Sequence, residues 1–129
     1  MGLIKIKESA QFTEVYHLIQ TTVECFMRVS VNCPKTVLKV VQNIYGRFDD
    51  ALYWVFKASN TKVISEKVEF LQTAKNSVFF QFNSIELLVK SHSLTVGQAN
   101  EVLTRLKDAY DQLSKWYNSC VKQMSSELK

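Results

Sequence analysis

Glycine and proline are scarce in this sequence of 129 residues, which contains three glycines and one proline. A β-sandwich or β-barrel needs such turn residues about every ten positions, so their scarcity argues against both folds and favours long, uninterrupted helices. Hydrophobic residues make up 47% of the chain and charged residues 22%. This is the composition of a globular protein, and the length fits one domain, residues 1–129.

The chain also lacks an apolar run of the roughly 18 residues that a membrane-spanning helix requires. Its first residues, MGLIKIKESA, carry two lysines but no apolar segment followed by a cleavage site of small residues, so they do not resemble a signal peptide. The three cysteines, Cys25, Cys33 and Cys120, are an odd number without CxxC spacing. We therefore expect a cytoplasmic protein with no membrane partner and with buried, free thiols.

Apolar spacing and helix breakers predict four helices, at about 9–31, 36–59, 64–90 and 95–124. Pro34 ends the first helix because it disfavours helical angles at Cys33. Thr95 and Gln98 form a capping box at the start of the fourth. Helices of this length joined by short turns predict an all-α fold, an up-and-down antiparallel four-helix bundle.

Each predicted helix carries an apolar stripe whose spacing of three and four residues places it on one face. The stripe of the first helix is Phe12, Val15, Tyr16, Ile19, Val23, Phe26 and Met27. That of the second is Val37, Val41, Ile44, Phe48, Leu52 and Val55. That of the third is Ile64, Val68, Leu71, Val78, Phe82, Ile85 and Val89, with Ala74 filling the gap between Leu71 and Val78. That of the fourth is Ala99, Val102, Leu106, Ala109, Leu113, Trp116 and Cys120.

Two further positions carry local expectations. Ser65 is the expected N-cap of the third helix, although the strict capping box would need an acidic residue or glutamine at Val68. Gly46 lies inside the second helix, where glycine costs about 1 kcal/mol relative to alanine. That cost predicts a close approach of a neighbouring helix at Gly46.

Aromatic residues extend beyond these stripes at Tyr53, Trp54, Phe79, Phe80, Tyr110 and Tyr117. A bundle helix needs an apolar stripe little more than 100° wide, and extra aromatic area is typical of an interface. These six residues are therefore the predicted contacts of a homo-oligomer. The alternative is a wide core within one bundle.

No residue pattern indicates an active site. His17 and His92 have no HxxxH or HExxH partner to share a metal, and no glycine-rich phosphate loop is present. Asp49 and Asp50 are adjacent on a helix and point about 100° apart, which favours a solvated face over a shared metal or proton. We expect no catalytic residue, no metal, no cofactor and no enzymatic activity.

A net charge of +4 permits an acidic partner without requiring one. The candidate phosphate contacts are Lys35, Lys39, Arg47, Lys115 and Lys122. Spaced lysines are also the ordinary surface of a helix, but a symmetric oligomer would repeat the patch and concentrate its positive potential.

The fourth helix carries a sequence pattern that resembles a known family. Leu94-Thr95-x-x-Gln98 followed by Leu113-x-x-Trp116, with Asp108 between them, resembles the C-terminal segment of the accessory variability determinant (Avd) proteins of diversity-generating retroelements. These proteins belong to a wider four-helix-bundle group that includes the S23 or intervening-sequence proteins. Phe70-Leu71 and Ala74 in the third helix agree more loosely.

The resemblance implies a non-catalytic accessory protein of a bacterium or phage. It would be a homopentamer that binds a retroelement reverse transcriptase and RNA or DNA. Where the family often carries arginine, this chain has Phe79 and Asn83, and it has Asp111 near the end of the fourth helix, which removes positive charge from the implied nucleic-acid surface. An S23-like scaffold that binds only protein partners is the alternative.

Overall fold

The computed structural model describes residues 10–128, and these residues form four long helices. Their bounds are Ala10–Ser30 for α1, Leu38–Asn60 for α2, Ile64–Lys90 for α3 and Val96–Glu127 for α4. A single 3₁₀ turn, Lys35–Val37, leads into α2, and α4 continues three residues beyond its predicted end. The predicted all-α four-helix bundle is confirmed. The start of the first helix at residue 9 lies outside the described residues.

The four helices are arranged as a square in chain order. α2 packs on α3, α3 on α4, α4 on α1 and α1 on α2, whereas the diagonal pairs scarcely meet. Short turns produce this order because they make consecutive helices antiparallel neighbours. The α2–α3 pair packs most extensively and the α1–α2 pair least.

The inner face of α4 agrees with its predicted stripe, since all seven of its residues are buried. Phe26 of α1 and Phe48 of α2 also belong to the core, since their ring centroids are 6.5 Å apart and both side chains are almost fully buried. Burying each such ring contributes about 1.5–3 kcal/mol relative to leaving it in water. This aromatic pair joins α1 to α2 inside the core.

The inner face of α3 differs from its predicted stripe. Gln81, Ser84 and Leu88 are buried, whereas Phe82 and Val89 are only half-buried. Ile64 and Val68, also predicted to be inside, are half-buried as well. Apolar spacing misplaced this face because two of the buried positions are polar and the flanks of the helix are apolar.

The stripes of the first two helices also needed correction at their edges. Tyr16 and Met27 of α1 are 36% and 54% exposed, and Thr22 lies inside instead. Thr22 can be buried because its hydroxyl donates a 2.8 Å hydrogen bond to the carbonyl of Leu18. Of the predicted second stripe, Val41 and Leu52 of α2 and Val37 of the preceding 3₁₀ turn are half-buried, and Ala51 and Ala58 complete the buried face of α2.

The α4 capping box is present as predicted. The Thr95 hydroxyl accepts a 3.1 Å hydrogen bond from the Gln98 backbone N–H, and the Gln98 side-chain carbonyl accepts a 3.0 Å bond from the Thr95 N–H. The N-cap predicted for α3 is wrong, because that helix begins at Ile64 and no side chain caps it. Thr61 orders the preceding turn instead, since its hydroxyl accepts from the N–H of Val63.

The turn after α3 has the hydrogen bonds of a Schellman motif. The N–H of Ser93 donates to the carbonyl of Leu88, and the N–H of His92 donates to the carbonyl of Val89. His92 takes the left-handed conformation that this motif requires, with φ of 60°. The turn therefore reverses the chain within a few residues and places α4 beside α3.

The close helix approach predicted at Gly46 is wrong. Gly46 is exposed, and a Cβ atom built there would have no atom within 4 Å apart from its chain neighbours and the backbone of its own helix. The glycine faces open space next to Arg47.

Candidate binding surfaces

The six aromatic residues predicted to form one interface belong to two different surfaces. Phe79 and Phe80 are adjacent on α3 and point about 100° apart. The ring centroid of Phe79 lies 5.7 Å from that of Tyr110 on α4, whereas the ring of Phe80 lies below Arg47 on α2. α3 therefore presents an aromatic residue on each flank.

We name these surfaces by the helices that form them. The α2/α3 surface consists of Arg47, Tyr53, Trp54, Lys57, Phe70 and Phe80. The α3/α4 surface consists of Lys75, Phe79, Phe82, Tyr110 and Tyr117.

At one end of the α2/α3 surface, a guanidinium group is stacked on an aromatic ring. The Cζ atom of Arg47 lies 3.9 Å from the ring centroid of Phe80, which is 43% exposed. At this distance the cation is attracted by the ring quadrupole, and the planar group keeps its N–H donors at its edges. Arg47 is thus held in place while its donors remain available for a ligand.

At the other end of the α2/α3 surface, Lys57 lies near two rings. Its Nζ atom is 5.6 Å from the ring centroid of Phe70 and 6.0 Å from that of Tyr53. Trp54 joins these rings, at 5.1 Å from Tyr53 and 5.4 Å from Phe70. The ten residues from Arg47 to Lys57 correspond to about 15 Å along α2.

The α3/α4 surface is more apolar. Phe79 is 61% exposed and rests on Phe82 and Tyr110, with centroid distances of 6.1 and 5.7 Å. Lys75 lies one turn before Phe79, and its Nζ atom is 4.3 Å from the ring centroid of Tyr117. Beyond Phe82 the surface continues into an apolar depression of about 320 Å³.

The predicted basic residues do not form one patch. The first group lies on or just before α2, with Lys35 and Lys39 at its start and Arg47 near its middle, whereas Lys115 and Lys122 lie in the second half of α4. Since α2 and α4 are diagonal helices of the bundle, these two groups occupy opposite sides of one copy. Within one copy, the nucleic-acid surface predicted from the sequence is therefore divided in two.

Sequence reasoning missed Lys57 and Lys75 as members of the two surfaces. The contact between Lys57 and Tyr53 could have been found, because residues four apart on a helix are neighbours. The contact between Lys75 and Tyr117 joins two helices and has no local signal in the sequence. The same is true of Arg47 and Phe80, which are 33 positions apart in the chain.

A third feature is a depression of about 240 Å³ between α1 and α2, where the helices pack least extensively. Val23, Phe48 and Leu52 line it with apolar groups, and the carboxylates of Glu24 and Asp49 belong to the same lining. Its volume is below the roughly 300–1,000 Å³ of small-molecule pockets, so it suits a side chain better than a metabolite.

The predicted solvated pair, Asp49 and Asp50, is exposed. The two carboxylates face different surroundings, since Asp49 lines the α1/α2 depression and Asp50 lies beside Gly46 and Arg47. Between residues 10 and 128, no three histidine, cysteine, aspartate or glutamate residues lie close enough to hold a metal ion.

The cysteines are free thiols. Cys25 and Cys120 are buried as predicted, whereas Cys33 is half-buried and its thiol donates to the carbonyl of Ser93 at 3.6 Å. Burial raises the pKa of Cys33, and burial also raises the pKa of Cys120, against a smaller opposing effect of the Lys67 charge. A raised pKa keeps both sulfurs protonated at neutral pH, which is unfavourable for a nucleophile.

No helix in the described part of the chain is both long and apolar enough to span a bilayer. Comparison of the chain with protein-family models, with curated proteins and with solved structures gives no match.

Proposed function

We propose that this chain is a non-catalytic accessory protein that binds single-stranded nucleic acid through its α2/α3 surface and acts as a homo-oligomer. The observation that carries the proposal is the stacking of Arg47 on the exposed ring of Phe80, with Lys57 beside Phe70 at the other end of the same surface. Proteins that bind single strands combine cations for the phosphates with aromatic rings on which bases stack.

The charge of this surface sets the expected strength of binding. Arg47 and Lys57 supply its positive charge, whereas Asp50 lies between them along α2 and reduces it. About two phosphate contacts for each copy follow from this arrangement. One copy then binds weakly, and an oligomer binds more tightly because it presents the surface several times.

The family resemblance supplies the rest of the proposal. In that reading the oligomer is a pentamer, the protein partner is a retroelement reverse transcriptase, and the protein acts in the cytoplasm of a bacterium or in a phage-infected cell. The apolar α3/α4 surface supports an additional protein contact, since an exposed aromatic cluster of this kind is typical of interfaces.

Fluorescence anisotropy with labelled single-stranded RNA, single-stranded DNA and duplex DNA, from about 50 to about 200 mM salt, tests the nucleic-acid part. We expect the single strands to bind more tightly than the duplex. Each phosphate contact contributes about −0.7 to the slope of log affinity against log salt. If no single strand binds at the lowest salt, this part of the proposal is wrong.

A protein-only scaffold of the S23-like kind is the second candidate, and the more apolar character of the α3/α4 surface favours it. Co-expression with a retroelement reverse transcriptase distinguishes the two. A complex that survives complete nuclease treatment, formed by a chain that binds no nucleic acid alone, would support the scaffold and contradict the first candidate.

A further inference from the structure

The α3/α4 surface has a projecting part. Phe79 is the most exposed aromatic side chain among the described residues, and Lys75 lies one helical turn away from it. The Lys75 ammonium is held above the rings of Tyr110 and Tyr117, at 5.7 and 4.3 Å from their centroids. These contacts hold the projecting side chain of Phe79, which we call the knob, beside the positive charge of Lys75. Holding both groups in place lowers the entropy lost when a partner binds.

The α1/α2 depression has the complementary character. Its apolar lining includes Phe48 and Leu52, and Glu24 and Asp49 bring two carboxylates to it without a salt bridge to any described residue. An aromatic knob accompanied by a cation therefore matches the depression in both apolar character and charge.

We infer that Phe79 and Lys75 of one copy dock into the α1/α2 depression of a second copy, with Lys75 facing Glu24 and Asp49. This inference rests on the self-association in the proposed function and adds the surfaces that make it. The α3/α4 side and the α1/α2 side are opposite sides of the bundle, so the knob and the depression cannot meet within one copy. A second copy is the partner that carries both halves of the match.

The contact is head to tail, because the two surfaces that meet are different. Such a contact leaves a free knob on one copy and a free depression on the other, so association continues until a ring closes or a filament forms. A two-fold dimer in which the α3/α4 surface of one copy meets the α3/α4 surface of another would instead place two Lys75 side chains near each other.

Sedimentation velocity and light scattering of the full-length chain, over a range of concentrations, test the contact. We expect Phe79→Asp to weaken association at least about tenfold, as expected for a central interface aromatic. The double variant Glu24→Lys/Asp49→Lys should weaken it similarly. Leu87→Asp is the matched control, because Leu87 is a 47% exposed apolar residue of α3 outside the three surfaces described above.

A charge exchange tests the pairing itself. Lys75→Glu alone should weaken association, and adding it to Glu24→Lys/Asp49→Lys should restore it, because the attraction returns with its signs reversed. Circular dichroism and thermal melting of every variant establish that each remains folded.

The results separate this inference from the proposed function. If the wild-type chain associates but Phe79→Asp and the charge variants leave its association unchanged, the docking contact is wrong and self-association stands. If the wild-type chain is a monomer at every concentration, both are wrong, whereas nucleic-acid binding is measured independently by anisotropy. If the charge exchange fails to restore association in folded protein, the pairing of Lys75 with the two carboxylates is wrong.

Discussion

The side-chain amide of Gln81 donates a 2.7 Å hydrogen bond to the main-chain carbonyl of Ile44, which joins α3 to α2 inside the core. Both residues are fully buried. The other polar atom of the same side chain, Oε1, is buried and has no hydrogen-bond partner among the described residues. One half of this amide therefore stabilises the helix pair, and the other half carries a desolvation cost of about 1–3 kcal/mol.

Gln81→Met should raise the free energy of unfolding by about 1 kcal/mol. The substitution loses one hydrogen bond, worth about 0.5–1.5 kcal/mol, but removes the unpaired oxygen and adds apolar contact at nearly equal volume. Urea denaturation measures the change. Gln72→Met, on the outer part of α3, is the control and should have little effect. A loss of stability in Gln81→Met would mean that the amide is satisfied on both sides.

His92→Gly should stabilise the turn between α3 and α4. A residue other than glycine pays about 1 kcal/mol or more for the left-handed conformation, and the backbone bonds of the motif do not depend on the imidazole. We expect a rise in melting temperature. Ser91→Gly is the control, since Ser91 has φ of −84° and gains nothing from glycine. Equal effects at both positions would contradict the conformational explanation.

Thr95→Ala should destabilise the protein by about 1 kcal/mol, because it removes the hydroxyl that accepts the Gln98 N–H at the start of α4. Ser65→Ala offers the contrast. Ser65 was the N-cap predicted for α3, but no side chain caps that helix, so we expect almost no change there. Chemical denaturation of both variants gives the comparison. A larger loss at Ser65 than at Thr95 would reverse the assignment of the caps.

How much of the fold the sequence predicts differs from helix to helix. The existence of four helices and the inner face of α4 follow from spacing alone, because apolar residues recur in α4 at alternating intervals of three and four from Ala99 to Cys120. α3 does not. Gln81 and Ser84 face the core while Phe82 and Val89 lie on a flank, so the rotation of this helix depends on its neighbours.

The candidate surfaces are less predictable than the fold for a related reason. Sequence reasoning identified Phe79 and Phe80 as excess aromatic residues, but it placed them in a single interface. Their separation follows from the helical geometry of α3 together with the positions of α2 and α4. The α1/α2 depression likewise depends on the less extensive packing of those two helices, which no local pattern encodes.

Gly46→Ala should raise the free energy of unfolding by about 0.5–1 kcal/mol. Glycine inside a helix costs this much relative to alanine, and the new methyl group would meet no atom within 4 Å apart from its chain neighbours and the backbone of its own helix. Gly97→Ala is the comparison, since the new Cβ would lie 3.9 Å from the Thr95 hydroxyl, an ordinary van der Waals contact. Gly97 lies in the first turn of α4, where helix propensity has a smaller effect on stability, so we expect a smaller gain there. If Gly46→Ala is instead less stable than the wild-type chain, a partner or a second copy must contact the backbone closely at Gly46.

Arg47 provides the sharpest mutational test of nucleic-acid binding, because its charge and its stacking can be removed separately. Arg47→Lys keeps the charge but loses the planar group on Phe80, so affinity should fall while the salt slope is retained. Arg47→Ala loses both, so the slope should also become shallower by about 0.7. Phe80→Ala should weaken binding about tenfold through the loss of a stacking ring, with little change in slope.

Lys115→Ala/Lys122→Ala is the control for these measurements, since both lysines lie on α4, diagonal to α2. If nucleic acid binds through the α2/α3 surface, this double variant retains both the affinity and the salt slope of the wild-type chain. If it instead loses as much slope as Arg47→Ala, the phosphates must reach both sides of the bundle. The binding site would then be formed between copies, and the α2/α3 surface of one copy would not be sufficient.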